Sequence, residues 1–259
     1  MTHAIDAYGE GREQSAKPGL LLTTSWDDGH PLDLRVADLL SKYDLKGTFY
    51  IPCESQHDVL SAGQISELAT AFEVGAHTVH HVALTSVADA IAREEIVDSK
   101  RSIETITGEP CRIFCFPMGR FEKRHLSMLR EAGFSAARTV ELFSLESPKK
   151  MNGVDLIPTT LQAYPHSPMA YWKNCAKRFK VKNFKYLLRF GTIRAWETAA
   201  IAILESARER GGVFHLWGHS SEIQESAQWE SLERVFSVMK ESKRDALCVT
   251  NSELCDYVN

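Results

Sequence analysis

The chain has 259 residues, of which 44% are hydrophobic and 25% are charged, as in ordinary soluble globular proteins. A chain of this length can bury a large core, which excludes a disordered protein and a small protein that depends on disulfides. The net charge of −4 argues against a general nucleic-acid-binding protein, and no apolar run approaches the roughly 18 residues that a membrane span requires.

The N-terminus and the cysteines both predict a cytoplasmic protein. Residues 1–18 are polar and lack the apolar core of a secretory signal, so we interpret them as a tail. The six cysteines form no Cys-x-x-Cys pair. Cys111 and Cys115 lie in a predicted strand, where a spacing of four separates the side chains by about 13 Å, too far for one metal ion. We therefore predict that the cysteines are small, buried apolar residues.

Apolar runs rich in β-branched residues alternate with runs of helical periodicity from residue 20 to the C-terminus. Asp33 and Ser86 stand where helix N-caps are expected, and Gly108 stands where a helix should end. The predicted strands are 20–26, 46–53, 73–78, 111–117, 134–140, 156–161, 211–219 and 246–250. The predicted helices are 33–43, 64–72, 86–107, 122–133, 194–210 and 228–241.

Strands that are apolar on both faces and alternate with helices indicate a parallel sheet covered by helices. Polar clusters follow several of the predicted strands, at residues 26–30, 77–81 and 117–119 and at His219. Active sites of (β/α) barrels lie at this end of the strands. We therefore predict an α/β fold, an irregular (β/α) barrel of about seven units, formed by a single domain over residues 19–259.

Asp27 and Asp28 end the first predicted strand as two adjacent carboxylates. Buried carboxylates need a partner or a metal ion, because an unpaired charge is costly to remove from water. One carboxylate could cap the following helix beside the turn residue Gly29, but this explains only one of the two. We favour a site in which one carboxylate binds a cation and the other acts as a base.

Three histidines lie in the segment His77-Thr78-Val79-His80-His81. Histidines spaced by three or four on a helix face the same side and can bind one metal ion, so His77 could act with His80 or with His81. The alternative is a histidine-rich loop that binds no metal. An aspartate and two histidines would supply three protein ligands and leave open positions for water and substrate.

The segment Ser25-Trp26-Asp27-Asp28-Gly29, followed about fifty residues later by the histidine segment, resembles two motifs of the polysaccharide deacetylase family. These motifs, [TS]-[FW]-D-D-G and H-[ST]-x-x-H, are the first two of the NodB homology domain, or carbohydrate esterase family four. The resemblance implies a deformed (β/α) barrel and a divalent metal ion, usually zinc, that activates water to remove an acetyl group from an N-acetylated sugar. It implies that Asp27 is the catalytic base, that Thr78 supports the histidine loop, and that the metal ligands are Asp28, His77 and His81.

The third motif of the family, R-x-P-[FY]-G, corresponds to Cys115–Gly119. Pro117 and Gly119 agree with it and are predicted to lie at the substrate, whereas Cys115 replaces the arginine that braces the catalytic aspartate. Arg120 or Arg138 could take the place of that arginine. The Asp-Trp motif that orients the family's catalytic histidine has no clear counterpart here.

The apolar segment Val213–His219 resembles the final motif, and His219-Ser220-Ser221-Glu222 resembles the H-P-W-E ending of a non-secreted branch of the family. This resemblance implies that His219 is the general acid. His215 points to the same side by strand alternation and is the second choice. A merely hydrogen-bonded strand histidine is the alternative for both. Leu216 and Trp217 are predicted either to shape a pocket for the acyl methyl group or to belong to the core.

Residues 156–196 contain eight Lys or Arg, interleaved aromatic residues, and no Asp or Glu. We predict that this basic segment is an insert that acts as a lid or contacts an anionic substrate or a membrane surface. Lys177, Arg178 and Lys180 are predicted to bind a phosphate of the substrate. The alternative is a solvated basic face.

The sequence therefore predicts a metal-dependent hydrolase of carbon–nitrogen bonds other than peptide bonds. Its substrate is predicted to be an N-acetylated or O-acetylated sugar or sugar conjugate, which could be anionic. Two alternatives use the same scaffold: a hydrolase of a linear or cyclic amide that is not a sugar, and a catalytically silent sugar-binding module. An intact set of candidate catalytic and ligand residues argues against the second alternative.

Overall fold

The structure is a computed structural model that describes residues 19–56, 58–167 and 195–258, together with Met169 and Lys173. The predicted tail and the phosphate-binding candidates Lys177, Arg178 and Lys180 lie outside the described residues. Within the described ranges, no helix has the length and apolar character needed to cross a membrane.

The described part of the chain forms ten strands in one sheet and eight α-helices. The strands are β1 (Leu20–Asp27), β2 (Thr48–Ile51), β3 (Glu73–Ala76), β4 (Ile113–Cys115), β5 (Ala136–Arg138), β6 (Lys149–Met151), β7 (Val154–Ile157), β8 (Leu161–Gln162), β9 (Gly212–Gly218) and β10 (Ala246–Cys248). The helices are α1 (Asp33–Lys42), α2 (Ala62–Leu68), α3 (Asp89–Thr107), α4 (Lys123–Glu131), α5 (Trp196–Arg210), α6 (Ser220–Glu225), α7 (Trp229–Ser242) and α8 (Asn251–Val258).

The sheet has the order β6-β7-β5-β4-β3-β2-β1-β9-β8, with β10 paired to the start of β1. All of these pairings are parallel except that of β6 with β7. The chain from β7 to β8 connects the two ends of the sheet, because β7 pairs with β5 and β8 pairs with β9. The sheet therefore curls into an irregular barrel, and the predicted α/β fold is confirmed.

Apolar side chains from the two faces of the sheet form two separate clusters. The larger cluster lies between the sheet and the helices and includes Trp26, Phe49 and Phe114. The smaller cluster includes Leu21, Tyr50 and Ile113 from the strands, together with Leu254 of α8. Since side chains alternate along a strand, successive residues of β1 reach opposite clusters. The C-terminal helix thus packs against the inner face of the curled sheet.

The helix caps predicted at Asp33 and Ser86 are wrong. The side chain of Asp33 forms no cap and is buried at the first position of α1. Ser86 belongs to a short 3₁₀ turn that precedes α3, and α3 begins only at Asp89. The predicted end of α3 is confirmed, because Gly108 adopts a left-handed conformation with φ of 73° there.

The single strand predicted over residues 156–161 is wrong, because this segment holds the end of β7 and the start of β8. Three further elements were absent from the sequence-based prediction. β6 is an exposed strand of three residues that pairs antiparallel with β7, and its sequence, Lys149-Lys150-Met151, has no strand signal. α6 and α8 have six and eight residues, too few for a helical period to stand out.

The polar residues singled out from the sequence lie at one end of the barrel. Asp27 and Cys115 end β1 and β4, while His77 and His219 directly follow β3 and β9. Because these strands are parallel, their C-terminal ends face the same side. The topology therefore gathers residues that are far apart along the chain.

Candidate active site

A cavity of about 410 Å³ opens at the C-terminal ends of the strands. The residues that line it include all five candidate catalytic and metal-binding residues from the sequence: Asp27, Asp28, His77, His81 and His219. The remaining wall is partly apolar and partly polar, and is formed by Phe116, Met118, Gly119, Val140, Leu142, Gln162, His166, Trp217 and Glu222.

Asp28, His77 and His81 bring three possible ligand atoms together. Oδ1 of Asp28 lies 3.4 Å from Nε2 of His77 and 3.1 Å from Nε2 of His81. The three ligand atoms lie within 4.8 Å of one another. An aspartate and two histidines on one side of an ion leave its other positions open to water and substrate.

The hydrogen bonds around this cluster fit a divalent cation. Nδ1 of His77 lies 2.8 Å from the carbonyl oxygen of Cys115, so Nδ1 carries the proton and donates to that oxygen. Nε2 then presents a lone pair towards Oδ1 of Asp28, which is buried and accepts no hydrogen bond from the described residues. Lone pairs that face a carboxylate in this way suit a bound metal ion.

His80, the other histidine that the spacing allowed, points away from the cluster. Its Nδ1 lies 2.6 Å from Oε1 of Glu95, and 57% of its side chain is exposed. Oε2 of Glu95 also accepts the backbone N–H groups of Val79 and His80. Glu95 therefore holds the histidine loop in a conformation that directs His81, and not His80, to Asp28.

Backbone strain is concentrated at this cluster. Asp28, Thr78 and His81 have φ values of 79°, 65° and 52°. Positive φ is uncommon outside glycine and is a genuine outlier for a β-branched residue such as Thr78. Strained conformations of this kind persist where the surrounding structure enforces them, and they are typical of functional sites.

Asp27 lies directly behind the metal-ligand cluster and is buried. Its Oδ2 accepts a hydrogen bond from Nη2 of Arg138, whereas its Oδ1 has no partner among the described residues. Burial raises the pKa of Asp27, but the charges of Arg138 and His219 outweigh this effect, so the pKa lies below its usual value. Asp27 is therefore an ionised carboxylate with one oxygen free to accept a proton.

Arg138 supplies the cation that the third motif lacks at Cys115. It is fully buried, and its guanidinium lies 4.5 Å from the ring centre of Trp217 and 5.5 Å from that of Tyr50. Arg120, the other candidate, is exposed and lines a different cavity.

Asp27, His77 and Cys115 also lie close enough together to suggest a second metal site, but Arg138 already provides the positive charge beside Asp27.

His219 faces both aspartates. Its Nε2 lies 3.9 Å from Oδ2 of Asp27 and 3.8 Å from Oδ2 of Asp28. Its Nδ1 lies 2.6 Å from Oε2 of Glu222, one turn further along α6. Burial lowers the pKa of His219, but Glu222 and the two aspartates raise it to about 9. His219 is therefore a protonated imidazole that can donate from Nε2.

Glu222 is the functional candidate that the sequence analysis did not assign. Its carboxylate binds Nδ1 of His219 and so orients the ring. In the family that the sequence resembles, the Asp-Trp motif has this role. Nε2 of Gln162 donates to Oε2 of Glu222 at 2.8 Å, and Nε2 of His166 lies 2.7 Å from Oε1 of Gln162. The spacing of three between His219 and Glu222 was a visible signal, because residues so spaced meet on a helix.

His215, the second choice for the acid, is a structural residue. It is fully buried, with Nε2 2.8 Å from Oγ of Ser25 and Nδ1 2.9 Å from the carbonyl oxygen of Pro158. Burial lowers its pKa to about 3, so it remains neutral.

Of the four substrate-binding candidates that lie within the described residues, two line the cavity and two do not. Trp217 and Gly119 line the cavity, whereas Pro117 and Leu216 are buried and do not. Leu216 packs in the larger core cluster, because alternation along β9 turns it away from Trp217. Gly119 has φ of 62°, and a Cβ there would lie 2.2 Å from Cγ2 of Val140.

Comparison with known proteins finds similarity to one family over part of the chain and a shared fold over nearly all of it. Residues 14–137 match the model of the family described as polysaccharide deacetylase, which confirms the resemblance carried by the first two motifs. A putative polysaccharide deacetylase, YxkH of Bacillus subtilis (strain 168), is 26% identical over 136 residues, covering 49% of this chain and 48% of the relative. The chain thus spans about half the length of this relative.

Two solved structures share the fold at low sequence identity. A putative polysaccharide deacetylase from Mycobacterium smegmatis has a TM-score of 0.69 at 14% identity, covering 97% of this chain and 94% of its own. Puue Allantoinase has a TM-score of 0.68 at 13% identity, covering 99% of this chain and 97% of its own. The barrel is therefore shared by proteins whose names describe different reactions.

Proposed function

We propose that this chain, whose resemblance to the polysaccharide deacetylase family extends over residues 14–137, is a metal-dependent hydrolase that removes an acetyl group from an acetylated sugar or sugar conjugate. The observation that carries the proposal is a single cavity in which Asp28, His77 and His81 converge beside an ionised Asp27 and a protonated His219. We propose zinc as the ion, because one carboxylate and two imidazoles are ligands that zinc commonly takes.

A zinc ion bound by Asp28, His77 and His81 would polarise the acyl carbonyl and lower the pKa of a water molecule. Asp27 has the free oxygen needed to take a proton from that water, while Arg138 keeps its carboxylate ionised and fixed in orientation. General bases of this kind typically contribute about 10²–10⁴-fold to the rate.

His219 acts on the leaving group. The nitrogen that leaves the acyl carbon must gain a proton, since an amide anion is a very poor leaving group. Nε2 of His219 faces the aspartates and holds the proton, and Glu222 fixes the ring through Nδ1. The products are acetate and the free amine of the sugar.

The proposal is tested by acetate release from a panel of N-acetylated and O-acetylated sugars, with the purified protein before and after chelation. Activity should disappear with the metal and return when zinc is added. Asp27→Asn should keep the metal and lose about 10²–10⁴-fold in turnover. Asp38→Asn, an exposed carboxylate on α1, is the matched control and should leave the rate unchanged.

Two results would contradict these assignments. Full activity after complete removal of metal would exclude the metal-dependent mechanism. A metal site emptied by Asp27→Asn but retained in Asp28→Asn would exchange the roles of the two carboxylates.

Hydrolysis of an amide that is not a sugar is the second candidate function. The likeness to Puue Allantoinase covers nearly the whole chain, and Cys115 and Met118 depart from the third motif of the deacetylases. Linear and cyclic amides such as ureides belong in the same substrate panel. Turnover of these compounds without acetate release from any sugar would favour this candidate.

A further inference from the structure

A second cavity of about 410 Å³ lies beside the candidate active site. His81 and Met118 line both cavities, so the two adjoin at these residues. The second cavity is bounded by the segment after β2, the histidine loop and the turn at Met118. A substrate that extends past Met118 from the first cavity would therefore reach the second.

Met118 forms the boundary between the cavities. It has φ of 56°, and 62% of its side chain is exposed although it is large and apolar. Gly119, which follows it, is held against Val140 with no room for a Cβ. The backbone is thus fixed at the turn, and the exposed Met118 side chain borders both cavities.

Arg120 gives the second cavity its chemical character. It is exposed, and no carboxylate of the described chain forms an ion pair with it. The neighbouring Arg124 differs, because it contacts Asp89 and Glu122. Arg120 therefore places an unpaired guanidinium, with its planar set of N–H donors, in a cavity that adjoins the candidate active site.

The other charged groups near this cavity pair with one another, one histidine with two carboxylates. His80 is hydrogen-bonded to Glu95 at 2.6 Å, and Glu54 lies 3.8 Å from its other ring nitrogen. Both oxygens of Glu95 are occupied by the histidine loop. Arg120 is left as the group best able to attract a charged ligand from solution.

We propose that the second cavity binds an oxyanion, a carboxylate or a phosphate, that the substrate carries near its acetylated nitrogen, and that Arg120 is the residue that binds it. This inference rests on the proposed function and deepens it, because it names acidic acetylated sugars as the substrate class. A guanidinium binds either anion through two parallel hydrogen bonds, so the chemistry is shared by both sources.

The test measures binding, so that it does not depend on turnover. Zinc-loaded protein is titrated calorimetrically with glucosamine and with three charged forms: the 1-phosphate, the 6-phosphate and an O-carboxymethyl ether. At least one charged form should bind about ten- to a hundredfold more tightly than glucosamine, as expected for charge-assisted hydrogen bonds. The form whose affinity increases identifies the anionic group that the cavity binds as a phosphate or as a carboxylate.

Arg120→Gln should abolish this preference and leave the affinity for glucosamine unchanged, and Arg120→Lys should retain part of it. Arg101→Gln is the control, since Arg101 is an exposed arginine on α3 that pairs only with Asp98 among the described residues. Because both arginines are exposed, neither variant should change the melting temperature.

Equal affinity for glucosamine and for all three forms that carry an anionic group would overturn the inference, and so would a preference that survives Arg120→Gln, since the metal alone would then bind the anion. A preference that depends on Arg120 in a protein that never releases acetate would support the binding site while rejecting the proposed reaction. The two failures are therefore distinguishable.

Discussion

Cys115 and Arg138 lie side by side at the ends of β4 and β5, and the guanidinium of Arg138 supplies the positive charge that binds the carboxylate of Asp27. The Cys115 thiol is 3.8 Å from the same carboxylate oxygen. The third motif of the deacetylases has its arginine at the position of Cys115. In this protein the arginine that binds the catalytic aspartate is thus on the neighbouring strand, at the position paired in register with Cys115.

The first prediction concerns this displaced arginine. Arg138→Met should destabilise the fold by about 3–5 kcal/mol, because Asp27 would be left as a buried, unpaired charge. The pKa of Asp27 should rise without the guanidinium, so the acidic limb of the pH–rate profile should move to higher pH. Urea denaturation and the pH dependence of kcat measure the two effects.

The double variant Cys115→Arg with Arg138→Cys distinguishes a bracing role from a general need for a buried arginine. It returns the cation to the strand where the family motif has it. The acidic limb should move back towards its original position, relative to Arg138→Met. A double variant that folds but keeps the shifted limb would show that Arg138 acts on Asp27 only from β5.

The second prediction separates the two adjacent histidines. His81→Ala should lower the affinity for zinc by at least about tenfold, because it removes a ligand that faces Asp28. His80→Ala removes an exposed imidazole bound to Glu95 and should leave zinc content nearly unchanged. Metal analysis after dialysis gives the answer, and greater metal loss from His80→Ala would contradict the proposed ligand set.

The third prediction concerns Glu222 and the pKa of His219. Glu222→Gln should lower this pKa, since Glu222 helps to raise it to about 9. A general acid acts only while protonated, so the basic limb of the pH–rate profile should move to lower pH. Glu225→Gln, on the same helix and exposed, is the control. An unmoved basic limb would remove Glu222 from its proposed role.

The same ionisation contributes to stability in the metal-free protein. The pKa of His219 is higher in the folded state than its usual value of 6.5, so the stabilisation is complete below pH 6.5 and is lost as the pH rises through about 9. The shift corresponds to at most about 3 kcal/mol. The free energy of unfolding of apoprotein should fall over this range, and less steeply in Glu222→Gln.

The fourth prediction concerns Asp33, which was expected to cap α1. Its carboxylate is fully buried, and neither oxygen has a hydrogen bond in standard geometry among the described residues, although Ser220 lies close to it. Burial raises the pKa of Asp33 well above its usual value, so the folded state keeps the proton to higher pH than the unfolded state does. The free energy of unfolding therefore falls as the pH rises above 3.8. Asp33→Asn should therefore raise the free energy of unfolding at pH 8 by about 1–3 kcal/mol. A variant less stable than the wild type at pH 8 would contradict this account.

The sequence alone determined the alternation of strands and helices and the segments that carry the chemistry. Alternation follows from the periodicity of apolar residues, which a strand or helix imposes locally. Asp27-Asp28 and His77–His81 stood out because adjacent carboxylates and closely spaced histidines are costly without a shared ligand. Such local patterns are legible without knowledge of the fold.

Where two residues fitted the sequence pattern equally well, only the tertiary structure showed which of them lies in the site. Spacing could not choose His81 over His80, and the choice follows from Glu95, sixteen residues from Val79, which holds the loop. Nothing local distinguished Arg138 from Arg120, and strand register placed the first beside Asp27 while the second stayed exposed. Parallel pairing, a non-local property, brings the ends of β1, β3, β5 and β9 together, and only this contact makes Asp27, His77, Arg138 and His219 one site.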